Sequence, residues 1–76
     1  MNGSPRVRYT DHAKDQMRER GYEQSDIDRV IQSPDTTYVG VDGKRNMHGT
    51  TSTGRVRVVL VPKEDYVLVI TVVRLA

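Results

Sequence analysis

Residues 54–74, "GRVRVVLVPKEDYVLVITVVR", decide the fold, because they place two runs rich in β-branched side chains on either side of one turn. Runs of this kind are typical of strands that are buried on at least one face of a sheet. The short polar segment "PKED" at residues 62–65 separates the two runs. The stretch therefore predicts an antiparallel β-hairpin against which the rest of the chain packs.

The length of that turn decides which side chains share a face of the hairpin. A turn of two or four residues gives one mixed face, formed by Arg55, Arg57, Val59, Val61, Leu68, Ile70, Val72 and Arg74. It also gives one nearly apolar face, formed by Val56, Val58, Leu60, Val67, Val69, Thr71, Val73 and Leu75. We expect the helices on the apolar face, with Thr71 as its single polar member. A turn of three residues would instead put Thr71 beside Arg57.

A second hairpin is predicted immediately before the first, in residues 36–50. Its sequence, "TTYVGVDGKRNMHGT", contains Asp42-Gly43, which is a strong signal for a two-residue type I′ turn. In that register Val41 lies opposite Lys44, Tyr38 opposite Met47 and Thr37 opposite His48.

A helix is predicted in residues 10–21, "TDHAKDQMRERG". Thr10 or Asp11 is its N-cap, and Gly21 is the left-handed residue that ends it. Its only apolar members are Ala13 and Met17, which would dock on the sheet.

A second helix is predicted within "SDIDRVIQSP", residues 25–34, with Ser25 as its N-cap and Pro34 just past its end. Its apolar side chains fall at positions i, i+3 and i+4 and form a stripe that faces a core, namely Ile27, Val30 and Ile31.

The order α-α-β-β-β-β predicts an α+β fold in which two N-terminal helices pack on a four-stranded antiparallel sheet. With 76 residues the chain is one small domain, which we assign to residues 9–76. Residues 1–8 are expected to form an N-terminal arm that is partly disordered.

The composition argues against several classes of site and location. The chain has no cysteine, which excludes disulfides and thiolate metal sites. It has no HxH or HExxH spacing, so we predict no metal and no cofactor. No apolar run reaches the roughly 18 residues of a membrane span, and "MNGSPRVRY" lacks the apolar region of a signal peptide. We therefore expect a cytoplasmic protein without a membrane partner.

The net charge of +2 is unevenly placed along the chain. Residues 42–76 hold six Lys and Arg against three Asp and Glu, a net +3, whereas residues 1–41 have a net charge of −1. This asymmetry is a mild indication of a polyanionic partner.

His12 and Arg20 flank the apolar pair of the first helix at its boundary with solvent. A histidine moves protons near neutral pH, and a fixed guanidinium stabilises the charge that develops on a phosphate during cleavage. The pair therefore suits cleavage of a phosphodiester without a metal. It equally fits a structural interpretation, in which His12 helps to cap the helix and Arg20 pairs with a helix carboxylate. His48 fits an exposed strand histidine near Arg45.

Three runs of the sequence together resemble a known family. They are "YTDHAKDQMRERGYEQSDIDRVIQSPD" at residues 9–35, "GKRN" at 43–46 and "GRVRVVLVPKEDYVLVITVVR" at 54–74. Their order and spacing are similar to those of the small bacterial domain-of-unknown-function family 4258, over about residues 9 to 74. That family is grouped with RelE-like toxins and with the barnase/EndoU/colicin-E5/RelE ribonuclease fold.

The resemblance implies a RelE-like fold and metal-independent cleavage of RNA, by attack of a 2′-hydroxyl on the adjacent phosphate. It implies an endoribonuclease toxin, an RNA interferase or a tRNase, whose partners are RNA and a cognate antitoxin or immunity protein. Such a toxin acts in the cytoplasm of its own cell or of a target cell.

Residues of this chain that match the family pattern carry the implied roles. They are His12 as general acid or base, Arg20 and Arg45 as phosphate clamps, and Thr71 as a hydrogen-bonding positioner. Further cations are expected to contact RNA, namely Arg18, Lys44, Arg55, Arg57 and Arg74.

Two other hypotheses about the function stay open. The first is a non-catalytic RNA- or protein-binding module of the same fold, in which the arginines contact phosphate and His12 is structural. The second is a structural domain whose last strand, "YVLVITVVRLA" at residues 66–76, lies at an edge of the sheet and pairs with a partner chain.

Overall fold

The computed structural model describes residues 6–75, which form two helices and one five-stranded sheet. The helices are α1 (Asp11–Arg20) and α2 (Gln24–Gln32). The strands are β1 (Arg6–Tyr9), β2 (Thr36–Val39), β3 (Arg45–Thr51), β4 (Gly54–Pro62) and β5 (Tyr66–Arg74). The α+β class is therefore confirmed.

The predicted four-stranded antiparallel sheet is wrong in one respect, because a fifth strand makes the sheet mixed. The strand order is β1-β5-β4-β3-β2, and β1 runs parallel to β5 while all other neighbours are antiparallel. β1 begins inside the arm predicted for residues 1–8, and Val7 and Tyr9 pack against the core. Residues 1–5 of that arm lie outside the described residues.

The last strand is not an edge strand. β5 lies between β1 and β4, although β1 pairs only with its first four residues, Tyr66–Val69. The expectation that the last strand lies at an edge of the sheet is therefore wrong, whereas its pairing with a partner chain stays a hypothesis. The two edges of the sheet are β1 and β2.

The register of the β4–β5 hairpin follows the prediction near the turn and departs from it further along. Lys63 N–H donates to the Tyr66 carbonyl at 2.7 Å and closes a two-residue turn, and Leu60 then lies opposite Val69 as expected. The next pair is Val59 with Thr71, so Ile70 is an extra residue that forms a β-bulge. Beyond the bulge every side chain of β5 has changed face.

Thr71 therefore does not lie among the apolar side chains that receive the helices. It lies opposite Val59, and the residue that enters the core in its place is Val72. Thr71 thus shares the face of Arg57, the arrangement that the alternative three-residue turn predicted, but a bulge produces it.

Helix α1 satisfies the backbone groups that the bulge leaves unpaired. The Thr10 hydroxyl donates to the Ile70 carbonyl at 3.2 Å, and Val72 N–H donates to Gln16 Oε1 at 2.9 Å. The Thr10 hydroxyl also accepts from Ala13 N–H at 3.1 Å and is the N-cap of the helix. Because buried backbone groups need partners, these side chains fix the bulge in place.

The β2–β3 hairpin also differs in register from the prediction. Gly43 N–H donates to the Gly40 carbonyl at 2.9 Å and Gly40 N–H to the Lys44 carbonyl at 2.8 Å, while Gly43 has φ of 81°. This is a three-residue loop with a left-handed glycine, not a two-residue type I′ turn. The change of one residue pairs Thr36 with His48, Thr37 with Met47 and Tyr38 with Asn46.

The loop is held by Asp42. Its carboxylate accepts from the Lys44 N–H at 3.0 Å and from the Lys44 ammonium at 3.3 Å. The backbone hydrogen bond from Lys44 keeps the pKa of Asp42 below its usual range. An aspartate that binds the backbone two residues on stabilises this turn rather than the predicted one.

The core lies between the two helices and one face of the sheet. Helix α1 contributes Ala13 and Met17, and α2 contributes Ile27 and Val30, as their spacing predicts. The sheet contributes Val56, Val58, Leu60, Val69 and Val72. The predicted cap Gly21 is confirmed with φ of 75°, whereas α2 begins two residues earlier than expected, with Glu23 rather than Ser25 as its N-cap.

Candidate functional site

One face of the sheet carries no helix, and we call it the helix-free face. Because successive side chains of a strand point to opposite faces, the strand register shows which residues lie on the helix-free face. Its central members are Tyr38 of β2, Asn46 and His48 of β3, Arg55, Arg57 and Val59 of β4, and Thr71 of β5.

Charge is divided between the two layers of the described fold. The strands contain six arginines and neither Asp nor Glu in residues 6–9, 36–39, 45–51, 54–62 and 66–74. The two helices contain five carboxylates together with four Lys and Arg. The strand arginines of the helix-free face include Arg8, Arg55 and Arg57. This face is therefore the one suited to a polyanion.

A pocket of about 360 Å³ opens on the helix-free face. Arg57, Asn46 and Thr71 line it from three neighbouring strands, and Tyr38 and the Gly40–Lys44 loop close one side. Asn46 is largely buried, and its side-chain amide donates to the Lys44 carbonyl at 3.2 Å, which ties the loop to the strand.

His48 and Arg57 are direct cross-strand partners at the centre of this face. Side chains in such positions stand roughly 5 Å apart at their Cβ atoms. The Tyr38 ring meets the imidazole edge to face, with centroids 5.6 Å apart, and its hydroxyl lies 3.5 Å from His48 Nε2. A histidine, a tyrosine and an arginine are thus adjacent on one surface.

Arg57 has an unpaired donor. Its Nε is buried and has no hydrogen-bond partner among the described residues. An unsatisfied buried donor costs on the order of 1–3 kcal/mol. Because Arg57 also lines the pocket, its guanidinium is a candidate anion contact of this face.

The structure does not bring the four predicted catalytic residues together. His12 and Arg20 lie near opposite ends of α1, about 12 Å apart along its axis at 1.5 Å per residue. Arg45 is the partner of buried Leu60, so it leaves the sheet on the helix side. Thr71 lies on the helix-free face. The catalytic roles of His12, Arg20 and Arg45 stay predictions, but the geometry gives these residues no shared site with Thr71.

The predicted RNA-binding cations are also divided between the two sides of the sheet. Lys44 and Arg57 line the pocket, and Arg55 lies on the same face opposite Thr50. Arg18 instead pairs with Asp15 on the helix layer at 3.2 Å, and Arg20 lies 3.9 Å from Glu19. Arg74 pairs with Val56 on the helix side and donates to the Thr53 carbonyl at 3.0 Å.

The described residues offer neither a metal cluster nor a membrane helix. No group of three or more His, Asp and Glu within residues 6–75 is placed to hold a metal ion. Neither helix in that range has the length and apolar character needed to cross a bilayer.

The comparison with protein families identifies the chain. The model of the family described as Domain of unknown function (DUF4258) matches residues 9–74. The chain belongs to the DUF4258 family. No curated protein and no solved structure matches it significantly.

The DUF4258 match spans both helices, both hairpins and therefore every residue of the pocket. The sequence did not predict that His48, Tyr38 and Asn46 belong to one site, because the predicted turn placed Tyr38 and His48 on opposite faces. The available signal was the "GVDGK" loop at residues 40–44, since a glycine after Asp42 also suits a three-residue turn.

A second pocket of this DUF4258 domain lies on the helix side, between β1 and α2, with a volume of about 260 Å³. The Tyr9 hydroxyl donates there to Asp28 at 3.1 Å. Burial raises the pKa of Tyr9 well above its usual range, and the charge and hydrogen bond of Asp28 raise it further.

The raised pKa of Tyr9 predicts a loss of stability in alkali. An unfolded tyrosine ionises near pH 10, whereas the folded group stays neutral, so the free energy of unfolding falls as pH rises above about 10. Tyr9→Phe removes the Asp28 hydrogen bond and should cost about 1 kcal/mol at pH 8. Urea unfolding should show that the parent has a higher free energy of unfolding than the variant at pH 8, and that this difference disappears at pH 11. A constant difference between the two proteins would contradict the assignment.

Proposed function

We propose that the protein is a metal-independent endoribonuclease toxin that binds RNA on the helix-free face. One observation carries the proposal: His48 lies directly opposite Arg57 in the sheet, with the Tyr38 hydroxyl 3.5 Å from His48 Nε2. Cleavage of RNA without a metal needs a proton-transferring group beside a fixed cation, and this face supplies both.

The proposed reaction is attack of a 2′-hydroxyl on the neighbouring phosphorus. The 2′-oxygen forms a bond to phosphorus and loses its proton to His48, while the bond from phosphorus to the 5′-oxygen breaks and that oxygen takes a proton from the Tyr38 hydroxyl. Tyr38 supplies a second proton-carrying group at the site. Arg57 stabilises the extra charge on the phosphate in the transition state.

The pocket beside the His48–Arg57 pair holds the RNA in position. Thr71 and Asn46 offer it a hydroxyl and an amide for phosphate or ribose oxygens, while Lys44 lies at its side paired with Asp42. Arg55 lies two residues from Arg57 along β4, on the same face, and extends the row of positive charges. This assignment replaces His12, Arg20 and Arg45 by residues that share one surface.

The fold and cellular role belong to the same proposal. We assign the chain to the RelE-like toxins of the barnase/EndoU/colicin-E5/RelE fold, because two helices on one face of a largely antiparallel sheet suit that architecture. An RNA interferase or tRNase of this kind acts in the cytoplasm, of its own or of a target cell. Its cognate antitoxin or immunity protein would cover the helix-free face.

The test is incubation of the purified protein with single-stranded RNA and with tRNA in EDTA. We expect fragments that end in a 2′,3′-cyclic phosphate and begin with a 5′-hydroxyl, because the 2′-oxygen is the nucleophile. RNA that is 2′-O-methylated at every residue should stay intact, since its 2′-oxygen carries no proton. The absence of cleavage, or cleavage of methylated RNA, would overturn the proposed reaction.

A non-catalytic RNA-binding module is the second candidate. The observation that favours it is the same set of strand arginines without a carboxylate, which supports phosphate binding whether or not cleavage follows. Binding whose affinity falls steeply with salt, without any product in EDTA, would favour the module over the toxin.

A further inference from the structure

A cationic and aromatic pair lies on the helix-free face away from the pocket. The Arg8 guanidinium of β1 covers the Tyr66 ring of β5, with its central carbon 5.0 Å from the ring centroid. Tyr66 shares this face with Arg8, because the intervening Val7 and Val67 pack on the core side. We call these two residues the Arg8–Tyr66 platform.

The platform and the Tyr38–His48 pair lie at opposite sides of one surface. Tyr66 belongs to β5 and Tyr38 to β2, so three strand spacings, or about 14 Å, separate them across the sheet, and an offset of four residues adds about 13 Å along the strands, which gives roughly 19 Å in all. The strip between them is largely apolar and half-buried, formed by Val59, Val61 and Leu68. A chain of a few nucleotides spans this width.

The chemistry of this surface fits unpaired bases rather than a duplex. A duplex hides the faces of its bases and offers mainly phosphate and sugar, for which a tyrosine ring and an apolar strip are of little use. An unpaired base stacks on an aromatic ring or on the plane of an arginine guanidinium. The Arg8–Tyr66 platform offers both kinds of plane, since the Arg8 guanidinium lies over the Tyr66 ring.

We propose that the helix-free face binds single-stranded RNA, with one base stacked on the Arg8–Tyr66 platform a few nucleotides from the His48–Arg57 pair. The identity of the polymer rests on the proposed function. The platform lies at the end of the RNA path, because the carboxylates of Glu64 and Asp65 occupy the turn just before Tyr66 and repel phosphate.

The first test compares binding of single-stranded and double-stranded probes by fluorescence anisotropy. The probe is a ten-nucleotide RNA, 2′-O-methylated throughout so that it cannot be cleaved, used alone and annealed to its complement. Tyr66→Leu keeps an apolar side chain but removes the ring, and should weaken single-strand binding roughly 5- to 100-fold. Tyr66→Phe is the matched control and should bind like the parent, because it keeps the ring.

The second test needs only the parent protein and Tyr66→Leu. The probes are single strands that each carry one abasic position. At one of these positions, the missing base should weaken binding by the parent about as much as the Tyr66→Leu substitution weakens binding of the intact probe. The variant should lose little further affinity with that probe, because base and ring form one interaction.

The outcomes separate this inference from the proposed function. Equal affinity for single strand and duplex, or a Tyr66→Leu affinity equal to that of the parent, would overturn the platform even if RNA is cleaved. Single-strand binding that depends on Tyr66, without cleavage in EDTA, would support the platform and overturn the ribonuclease.

Discussion

Replacing Arg57 with Gln is expected to lower the rate of RNA cleavage roughly 100-fold or more, the effect of removing one donor from a charged transition state. Arg57 is the cation opposite His48, and its buried Nε has no partner within the described residues. Because that donor is buried and unpaired in the free protein, its loss should leave the free energy of unfolding unchanged or raise it by up to about 3 kcal/mol. Cleavage kinetics and thermal unfolding measure the two effects separately.

Arg45→Gln is the matched control for Arg57→Gln. Both residues are strand arginines, but Arg45 lies opposite Leu60 on the helix side and is exposed. We expect its cleavage rate to stay within about threefold of the parent at equal ionic strength, since a single exposed charge acts weakly through solvent. A large loss with Arg45→Gln and none with Arg57→Gln would move the site back to the residues predicted from the sequence.

Gly49→Ala is expected to destabilise the fold by about 1–3 kcal/mol, because the core has no space for a methyl group at this position. A Cβ at residue 49 would lie 2.8 Å from both γ-carbons of Val30 on α2. Either the helix moves away from β3 or the valine leaves its preferred rotamer. For a small domain with about 5 kcal/mol of stability, this is a large fraction of the total.

The clash at Gly49 can be tested by a double-mutant cycle with Val30→Ala. Val30→Ala alone leaves a cavity and should destabilise, whereas the combination should be more stable than the sum of the single changes predicts. Urea unfolding of the four proteins gives the coupling free energy. Strict additivity would show that Gly49 and Val30 do not compete for the same space.

The helices and their core residues could be predicted from the sequence because local signals specify them. The spacing of Ile27 and Val30 and the glycine at position 21 sufficed to place α2 and the end of α1. Strand β1 gave no such signal, since four residues with alternating arginines are too short to distinguish from an arm. Only its pairing with β5 makes it a strand.

The register error in the β4–β5 hairpin arises because contacts between residues distant in sequence decide that register. The run around Ile70 is β-branched throughout, so its alternation does not reveal which residue is the extra one. The bulge is held by Thr10 and Gln16, which lie 60 and 56 residues away from their backbone partners. A one-residue slip of register moves a side chain to the other face, and that is why Thr71 was placed among the core residues.

A local error, in the turn of the β2–β3 hairpin, explains why the site on the helix-free face was only half predicted. Arg57, Lys44 and Thr71 were named from charge, position and resemblance, but their common face was not. His48 was read as an isolated strand histidine because the predicted turn set it opposite Thr37 and apart from Tyr38. The one-residue change at the Gly40–Lys44 loop brings His48 and Tyr38 to the same face.

The initial rate of single-stranded RNA cleavage in EDTA, for the parent, His48→Ala and His12→Ala, tests the central claim most directly. The chain has two histidines, one on the helix-free face and one in the first turn of α1, so each variant is the control for the other. We predict that His48→Ala lowers the rate roughly 100-fold or more, as expected for loss of a proton-transferring group, while His12→Ala stays close to the parent. A parent that does not cleave, or cleavage that survives His48→Ala and is lost in a folded His12→Ala, would contradict the account.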